Sequence, residues 1–334
     1  MRTKTLTFIL IQLILIILGL ELSLRWLGHH PYRTTPFTIE SQPQFCLLPD
    51  SLYGIRLNPG QFNVSINGLQ FHTTHLPNGQ RITPPPPDTI PQKQVHLYGC
   101  SFPYGFGLDD SLSYPYRLQQ ARPNLQIHNK AVPGYGTIQA FHQLQHSLAQ
   151  KDTPDIAIIH YASFHDERNA LSPQYRKALH ISFQQANPII KTLFTQSRFP
   201  YLTPSHTYSH STWSQLYQHW PLREQSSIIH YLQNIVDAQK LSPHETTSIT
   251  QKIFRDLHTL CQAAGIQLII AGITQDTHTQ QMLLYCDSLN IPTWNLMIDM
   301  TNPQNTNAPH DDHPNANSHA HYTQSALKHL PQLP

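Results

Sequence analysis

Charge is scarce in this chain. Only 12% of its 334 residues are Asp, Glu, Lys or Arg, and the formal net charge is +2. No run of Lys or Arg occurs, so the electrostatic footprint of a nucleic-acid binder is missing and no nucleic-acid partner is expected. Glycine is sparse as well, 13 residues against 28 prolines, which predicts stiff loops rather than floppy linkers. The four cysteines, Cys46, Cys100, Cys261 and Cys286, show no Cys-x-x-Cys pair and no zinc-ligand spacing. Reduced, buried thiols are the expectation, although Cys261 and Cys286 could pair in an oxidising compartment.

Two familiar motifs are absent too. Gly105-Phe106-Gly107 lacks the GxGxxG or Lys-Ser/Thr continuation of a phosphate loop. Pro103 stands where a Gly-x-Ser-x-Gly elbow needs its second glycine, which argues against an α/β-hydrolase. Histidine, by contrast, is abundant at 23 residues. With Gln, Asn, Ser and Thr it builds a surface that gains positive charge as pH falls through about 6.5. The i,i+4 pairs His142/His146 and His206/His210 have no evident third ligand, so no metal is expected there.

One long apolar run is present. Leu6 to Leu20 is almost wholly apolar, and the helix can continue to Leu27 with Glu21 and Arg25 paired at i,i+4. That length lies within the roughly 17–25 residues needed to span a bilayer. Trp26 would sit at headgroup level, Arg2 and Lys4 favour a cytoplasmic N-terminus, and no small-x-small cleavage site follows the run. The expectation is an uncleaved, single-pass signal anchor over residues 1–28, in the inner (cytoplasmic) membrane, with the remainder periplasmic or extracellular.

Residues 29–92 read as a β-rich lead-in. "NVSINGLQFHTTHLPNGQRIT" alternates apolar and polar residues around Asn67-Gly68 and Asn78-Gly79, both hairpin signals, and "TPPPPD" at 83–88 forms an extended spacer. From there to 334, strands alternate with helices. Strands are expected at Val95–Gly99, Gln126–Val132, Asp155–Tyr161, Gln267–Ile273 and Thr293–Ile298, with helices at 112–121, 136–150, 250–264, 276–289 and 316–329. Such alternation predicts an α/β fold with a parallel sheet covered on both faces. Residues 166–245, rich in Tyr, Trp and His and with a helix near 223–240, interrupt the rhythm as an insertion able to form a cap or substrate wall.

In an open parallel sheet, ligands bind beyond the carboxyl ends of the strands. Ser101 follows the first strand in "HLYGCSFPYGFGLDD", Gly134 lies in a tight bend after the second, and His165, Asp166, Arg168 and Asn169 follow the third. Asp311, Asp312 and His313 precede the last helix. A serine nucleophile needs a base, His313, and the base needs a carboxylate to fix its tautomer, Asp311 or Asp312. Backbone N–H groups at Ser101 and Gly134 would hold an oxyanion.

"YGCSFPYGFGLDDSLSYPYRLQ", "NKAVPGYGT" and "DDHPNANSHAHYTQSAL" resemble the first, second and last conserved blocks of the SGNH (GDSL-type) hydrolase superfamily, more narrowly its bacterial, membrane-anchored members. The resemblance covers about residues 94–334, apart from the insertion. It implies a three-layer α/β/α flavodoxin-like sheet and serine ester hydrolysis or acyl transfer on an ester-bearing small molecule, glycan or lipid, with no metal or organic cofactor. By the same resemblance Ser101 is the nucleophile, His313 the base, Asp311 its orienting acid, and Ser101 and Gly134 the oxyanion donors.

Three departures stand out. Gly-Asp-Ser reads Gly99-Cys100-Ser101, which makes Cys100 a rival nucleophile. Asp-x-x-His reads His310-Asp311-Asp312-His313, which leaves Asp312 a rival acid. The expected Gly-x-Asn-Asp block reads "YASFHDERN", so His165, or failing that Asn169, would supply the third oxyanion donor. The missing Asn motivates the rival reading, a weak or inactive SGNH-like module that binds envelope polysaccharide.

Overall fold

The computed structural model describes residues 2–33, 39–85, 93–184 and 192–330. The last part of the Pro-rich spacer, 86–88, lies outside the described residues. The chain opens with α1 (Arg2–Trp26), an exposed apolar helix in which Lys4–Trp26 is long and apolar enough to cross a membrane, with none of its most apolar stretch buried in the protein.

The lead-in contains β1 (Ile39–Gln42), β2 (Leu47–Asp50), β3 (Gly54–Leu57), β4 (Gly60–Ile66) and β5 (Leu69–His75). Strands β4 and β5 form a hairpin whose two-residue turn, Asn67-Gly68, has positive φ at both positions (46° and 87°), as a type I′ turn requires. The buried side chains of β4 alternate, Phe62, Val64 and Ile66, and meet Phe71, Tyr104 and Phe106. After the second Asn-Gly turn, Arg81 bridges His75 on one side and Asn129 on the other. Through that residue the lead-in sheet is joined to the edge of the main one.

The main sheet is built from β6 (Lys93–Tyr98), β7 (Leu125–Asn129), β8 (Ile156–Tyr161), later β11 (Gln267–Thr274) and β12 (Thr293–Ile298). All pairings are parallel and the order is β7-β6-β8-β11-β12. Between them run α2 (Ser101–Tyr104), α3 (Tyr114–Ala121), α4 (Thr137–Ala149), α5 (His165–Asn169) and α6 (Pro173–Gln184). The hairpin β9 (Arg198–Leu202) and β10 (Tyr208–Thr212) follows, then α7 (Trp213–Leu216), α8 (Ser227–Gln239), α9 (Pro243–Ala264) and α10 (Thr277–Ser288). The short pair β13 (Thr306–Asn307) and β14 (Asp311–Pro314) leads into α11 (Ala316–His329).

Strand alternation sends side chains to two cores. Ala157, Ile159 and Tyr161 pack with Ile253, Phe254 and Leu257 of α9, whereas Ile156 and Ile158 pack with Leu118 of α3 and Tyr322 of α11. The three-layer α/β/α arrangement is thus as expected, and its 2-1-3-4-5 strand order is that of flavodoxin-like folds. The insertion has its own small core of Leu171, Leu179, Phe199 and Leu216. All four cysteines are free and buried.

Candidate active site

The strand order reverses at β6, whose neighbours β7 and β8 lie on its opposite sides. The chain beyond the carboxyl end of β6 is therefore at the topological switch point, where α/β sheets place ligands. Ser101 lies there. Gly99, with φ +154°, makes the turn; a Cβ on it would stand 2.6 Å from Pro103 Cγ and 3.1 Å from His160 Cβ. Glycine lets the strand fold directly into α2, and Ser101 becomes the first residue of a helical turn, whose N–H has no intrahelical acceptor.

Strand β14 delivers the partners. Ser101 Oγ lies 2.8 Å from His313 Nε2, and His313 Nδ1 lies 2.7 and 2.8 Å from the two oxygens of Asp311. A carboxylate on Nδ1 holds the proton there, leaving Nε2 to accept from the serine hydroxyl. The Phe102 and Phe106 rings flank His313 at 5.6 and 4.7 Å between centroids. The chain leaving β7 runs beside the turn that bears Ser101, with Val132 N–H donating to the Gly99 carbonyl at 3.0 Å. That contact brings Gly134, φ +85°, to the same rim. The Gly134 carbonyl accepts from the Tyr175 hydroxyl and the Tyr135 carbonyl from Arg168 Nη1 at 2.8 Å, so the insertion clamps the bend.

The chain carries a flavodoxin-like three-layer α/β/α fold.

Its departures from the SGNH pattern now have physical readings. Asp311 and His313 are two apart on a strand and so share a face, whereas Asp312 points the other way and is exposed. The alternative acid Asp312 is thereby corrected: the shortened spacing works because the segment is extended. Cys100 faces the core between β6 and the helices, fully buried, with its thiol pKa raised chiefly by burial. It makes a poor nucleophile. Asn169 is also corrected as a stand-in donor. Its Oδ1 accepts from Ile138 N–H at 3.0 Å and its Nδ2 donates to Thr250 Oγ1 at 2.8 Å, so both ends of the amide are committed to holding α4 and α9.

His165 is fully buried beside the Tyr161 and Phe164 rings, at 5.9 and 4.9 Å between centroids. Neither of its ring nitrogens has a hydrogen-bond partner among the described residues, and burial holds its pKa well below the ordinary histidine value. It is a neutral imidazole with an uncommitted N–H. Asp166 and Arg168 do not pair. The Arg168 guanidinium stacks 4.4 Å from the Phe164 ring centre, while Asp166 accepts from Tyr161 Oη at 2.9 Å and from His278 Nε2 at 2.7 Å. That carboxylate contact raises the His278 pKa. A raised folded-state value means the stabilisation is fully present below the unfolded value of about 6.5 and is lost as pH rises through the folded one. The difference in Tm between wild type and His278→Gln should therefore shrink as pH rises from 6; a difference that grows would show that the pair works in another way.

Three further side chains support the site, and of these only His319, as structural packing, was legible in the sequence. Arg81, fully buried, donates from Nη1 to the carbonyls of Tyr104 and Gly105 at 3.0 and 2.6 Å, and from Nη2 to that of Leu108 at 2.5 Å. It holds the loop that follows Ser101. Tyr175 braces Gly134 from inside the insertion. His319, buried at the start of α11, accepts from Tyr114 N–H at 2.9 Å through Nδ1 and ties α3 to the segment that follows His313; burial lowers its pKa to about 3, so it stays neutral.

No protein-family model matches the chain, and no curated protein matches it. Among solved structures it is similar to TesA, at 10% identity over 72% of this chain and 99% of that one, with a TM-score of 0.40. It is similar to the psychrotrophic esterase EstA from Pseudoalteromonas sp., at 11% identity over 72% and 97% of the two chains, TM-score 0.39. A third similarity is to Axe2, an acetylxylan esterase from Geobacillus stearothermophilus, at 12% identity over 72% and 95%, TM-score 0.36.

Proposed function

We propose that the protein is a serine ester hydrolase of the SGNH type, working through an acyl-enzyme on Ser101. The observation that carries this reading is the unbroken chain from Ser101 Oγ through His313 to Asp311. Ser101 Oγ bonds to the ester carbonyl carbon as its proton passes to His313 Nε2, and the carbonyl electron pair moves onto oxygen. Collapse of that intermediate breaks the ester C–O bond, and the leaving alkoxide takes the proton from His313. Water then repeats the sequence on the acyl-enzyme, releasing the acid and restoring Ser101. With a sugar hydroxyl in place of water the same site is an O-acyltransferase.

Ser101 N–H, Gly134 N–H and the uncommitted N–H of His165 are assigned to the oxyanion; one such donor contributes roughly 3–4 kcal/mol to the transition state. We read the chain as an anchor (1–28), a lead-in (29–92) and a catalytic part (93–334), held at the inner membrane with the site in the periplasm or outside. That placement favours acylated envelope glycan or lipid as substrate. The full chain in nanodiscs should be labelled by a fluorophosphonate and should hydrolyse an activated acetyl ester. Ser101→Ala should abolish labelling, and His313→Ala should slow both reactions at least a thousandfold, roughly. A folded wild type that stays unlabelled across acyl lengths and pH 5–9 points instead to the polysaccharide-binding reading.

A further inference from the structure

Helix α8 is built inside out. Its buried positions are polar: Ser227, Gln233 and Asp237 are each no more than 6% exposed. They are spaced to share one face of a helix. Two of them are satisfied within the insertion, Gln233 by Trp220 N–H at 3.2 Å and the Gln218 carbonyl at 3.0 Å, Asp237 by the Tyr217 hydroxyl at 2.6 Å. The outward face carries Tyr231, Leu232, Ile235 and Val236, 37–44% exposed, at the i, i+1, i+4, i+5 spacing of an apolar stripe. A helix on a water-soluble surface has the opposite arrangement.

The same helix is fastened to the end of α1. Glu21 accepts from the N–H groups of Ser227 and Ile228, at 2.7 and 3.1 Å, and from the Ser226 hydroxyl at 2.9 Å. Arg25 Nη2 donates to the Gln225 carbonyl at 2.9 Å, and the His29 ring packs against Tyr231 at 4.8 Å between centroids. Leu222, just before α8, is 66% exposed, and Trp26 at the end of α1 is 86% exposed. The apolar stripe of α8 thus starts beside the point where the candidate membrane span ends.

We propose that the outward face of α8 lies in the lipid interface, as a second membrane contact that fixes the catalytic part against the bilayer surface rather than letting it swing on the anchor. This rests on the reading of α1 as a membrane span. Amphipathic helices of this kind seat their apolar face at the boundary of headgroups and acyl chains. The occupant is lipid because the stripe adjoins a helix that is already lipid-facing over its own length.

The test uses the full chain in phosphatidylcholine–phosphatidylglycerol vesicles, with a bimane label on single added cysteines; the native thiols are buried. Labels at Leu232→Cys and Ile235→Cys should be quenched several-fold by shallow, 5-doxyl lipid and hardly by aqueous iodide. A label at Leu284→Cys, 68% exposed on α10, should show the reverse. Leu18→Cys in α1 should be quenched by deep, 12-doxyl lipid. If Leu18 is lipid-quenched while 232 and 235 answer only to iodide, α8 faces water and the proposal falls with the anchor intact. If 232 and 235 are shielded from both quenchers, a second copy covers the stripe and the lipid assignment is overturned. If Leu18 answers to iodide, the span itself is wrong and the argument for lipid on α8 goes with it.

Discussion

Asp311→Asn is expected to lower kcat for ester hydrolysis about ten-thousand-fold while the protein stays folded, the size of loss seen when a triad carboxylate becomes an amide. The carboxylate of Asp311 accepts a hydrogen bond from His313 Nδ1–H, and that single contact decides which ring nitrogen is left to act as the base. An amide at 311 can turn its NH2 toward Nδ1. The ring proton then moves to Nε2, which meets the Ser101 hydroxyl as a donor and can no longer take its proton. The imidazolium that forms during attack also loses its counter-charge in a pocket where Asp311 is only 6% exposed. Asp312→Asn is the matched control. Its side chain lies on the other, exposed face of β14, so kcat should stay within about twofold, as for surface changes away from the site. Steady-state kinetics on an activated ester would decide: a large loss in Asp312→Asn with little in Asp311→Asn would remove Asp311 from the triad.

The strands and helices were legible because their signals are local. Alternation and apolar runs mark β6, β8 and β11, and the two positive-φ residues of the β4–β5 turn are written as Asn67-Gly68. The positions of Ser101, Gly134 and His313 could be read from strand ends, because a parallel sheet gathers its carboxyl ends on one rim. The choice between Asp311 and Asp312 could not be read. It depends on β14 being extended, and a strand of four residues with two acids and a proline gives no periodic pattern. Nor could the fate of Asn169, whose amide is spent on Ile138 and Thr250, partners 31 and 81 residues away. The inverted face of α8 was hidden for a related reason: periodicity reveals that a helix has an apolar stripe, not which way it faces. Only the polar contacts of Gln233 and Asp237 show that.

Arg81→Met is expected to be the most destabilising single change outside the triad, by about 3–5 kcal/mol, the range for breaking one side of a buried ion pair. Arg81 has no exposed surface, and its Nε lies 2.8 Å from Asp110. Removing the guanidinium strands a largely buried carboxylate and leaves the carbonyls of Tyr104, Gly105 and Leu108 without that donor. At roughly 2–4 °C per kcal/mol for a chain of this order, Tm should fall by about 10 °C. Arg81→Lys should recover little, since one ammonium cannot span carbonyls that a planar five-donor fork meets at once. Because the freed carbonyls belong to the loop running on from Ser101, kcat should drop more than KM changes, and the loss should persist at temperatures where the variant is fully folded. Asp110→Asn tests the account from the other side. If charge pairing dominates, the double variant will be nearer in stability to Arg81→Met than additivity predicts, since the stranded carboxylate is gone. Strict additivity would mean that Arg81 acts through the loop carbonyls alone. A fully stable, fully active Arg81→Met would mean that the lead-in contributes nothing to placing the nucleophile, and the bridge from the hairpin sheet to β7 would be only a covering for that edge.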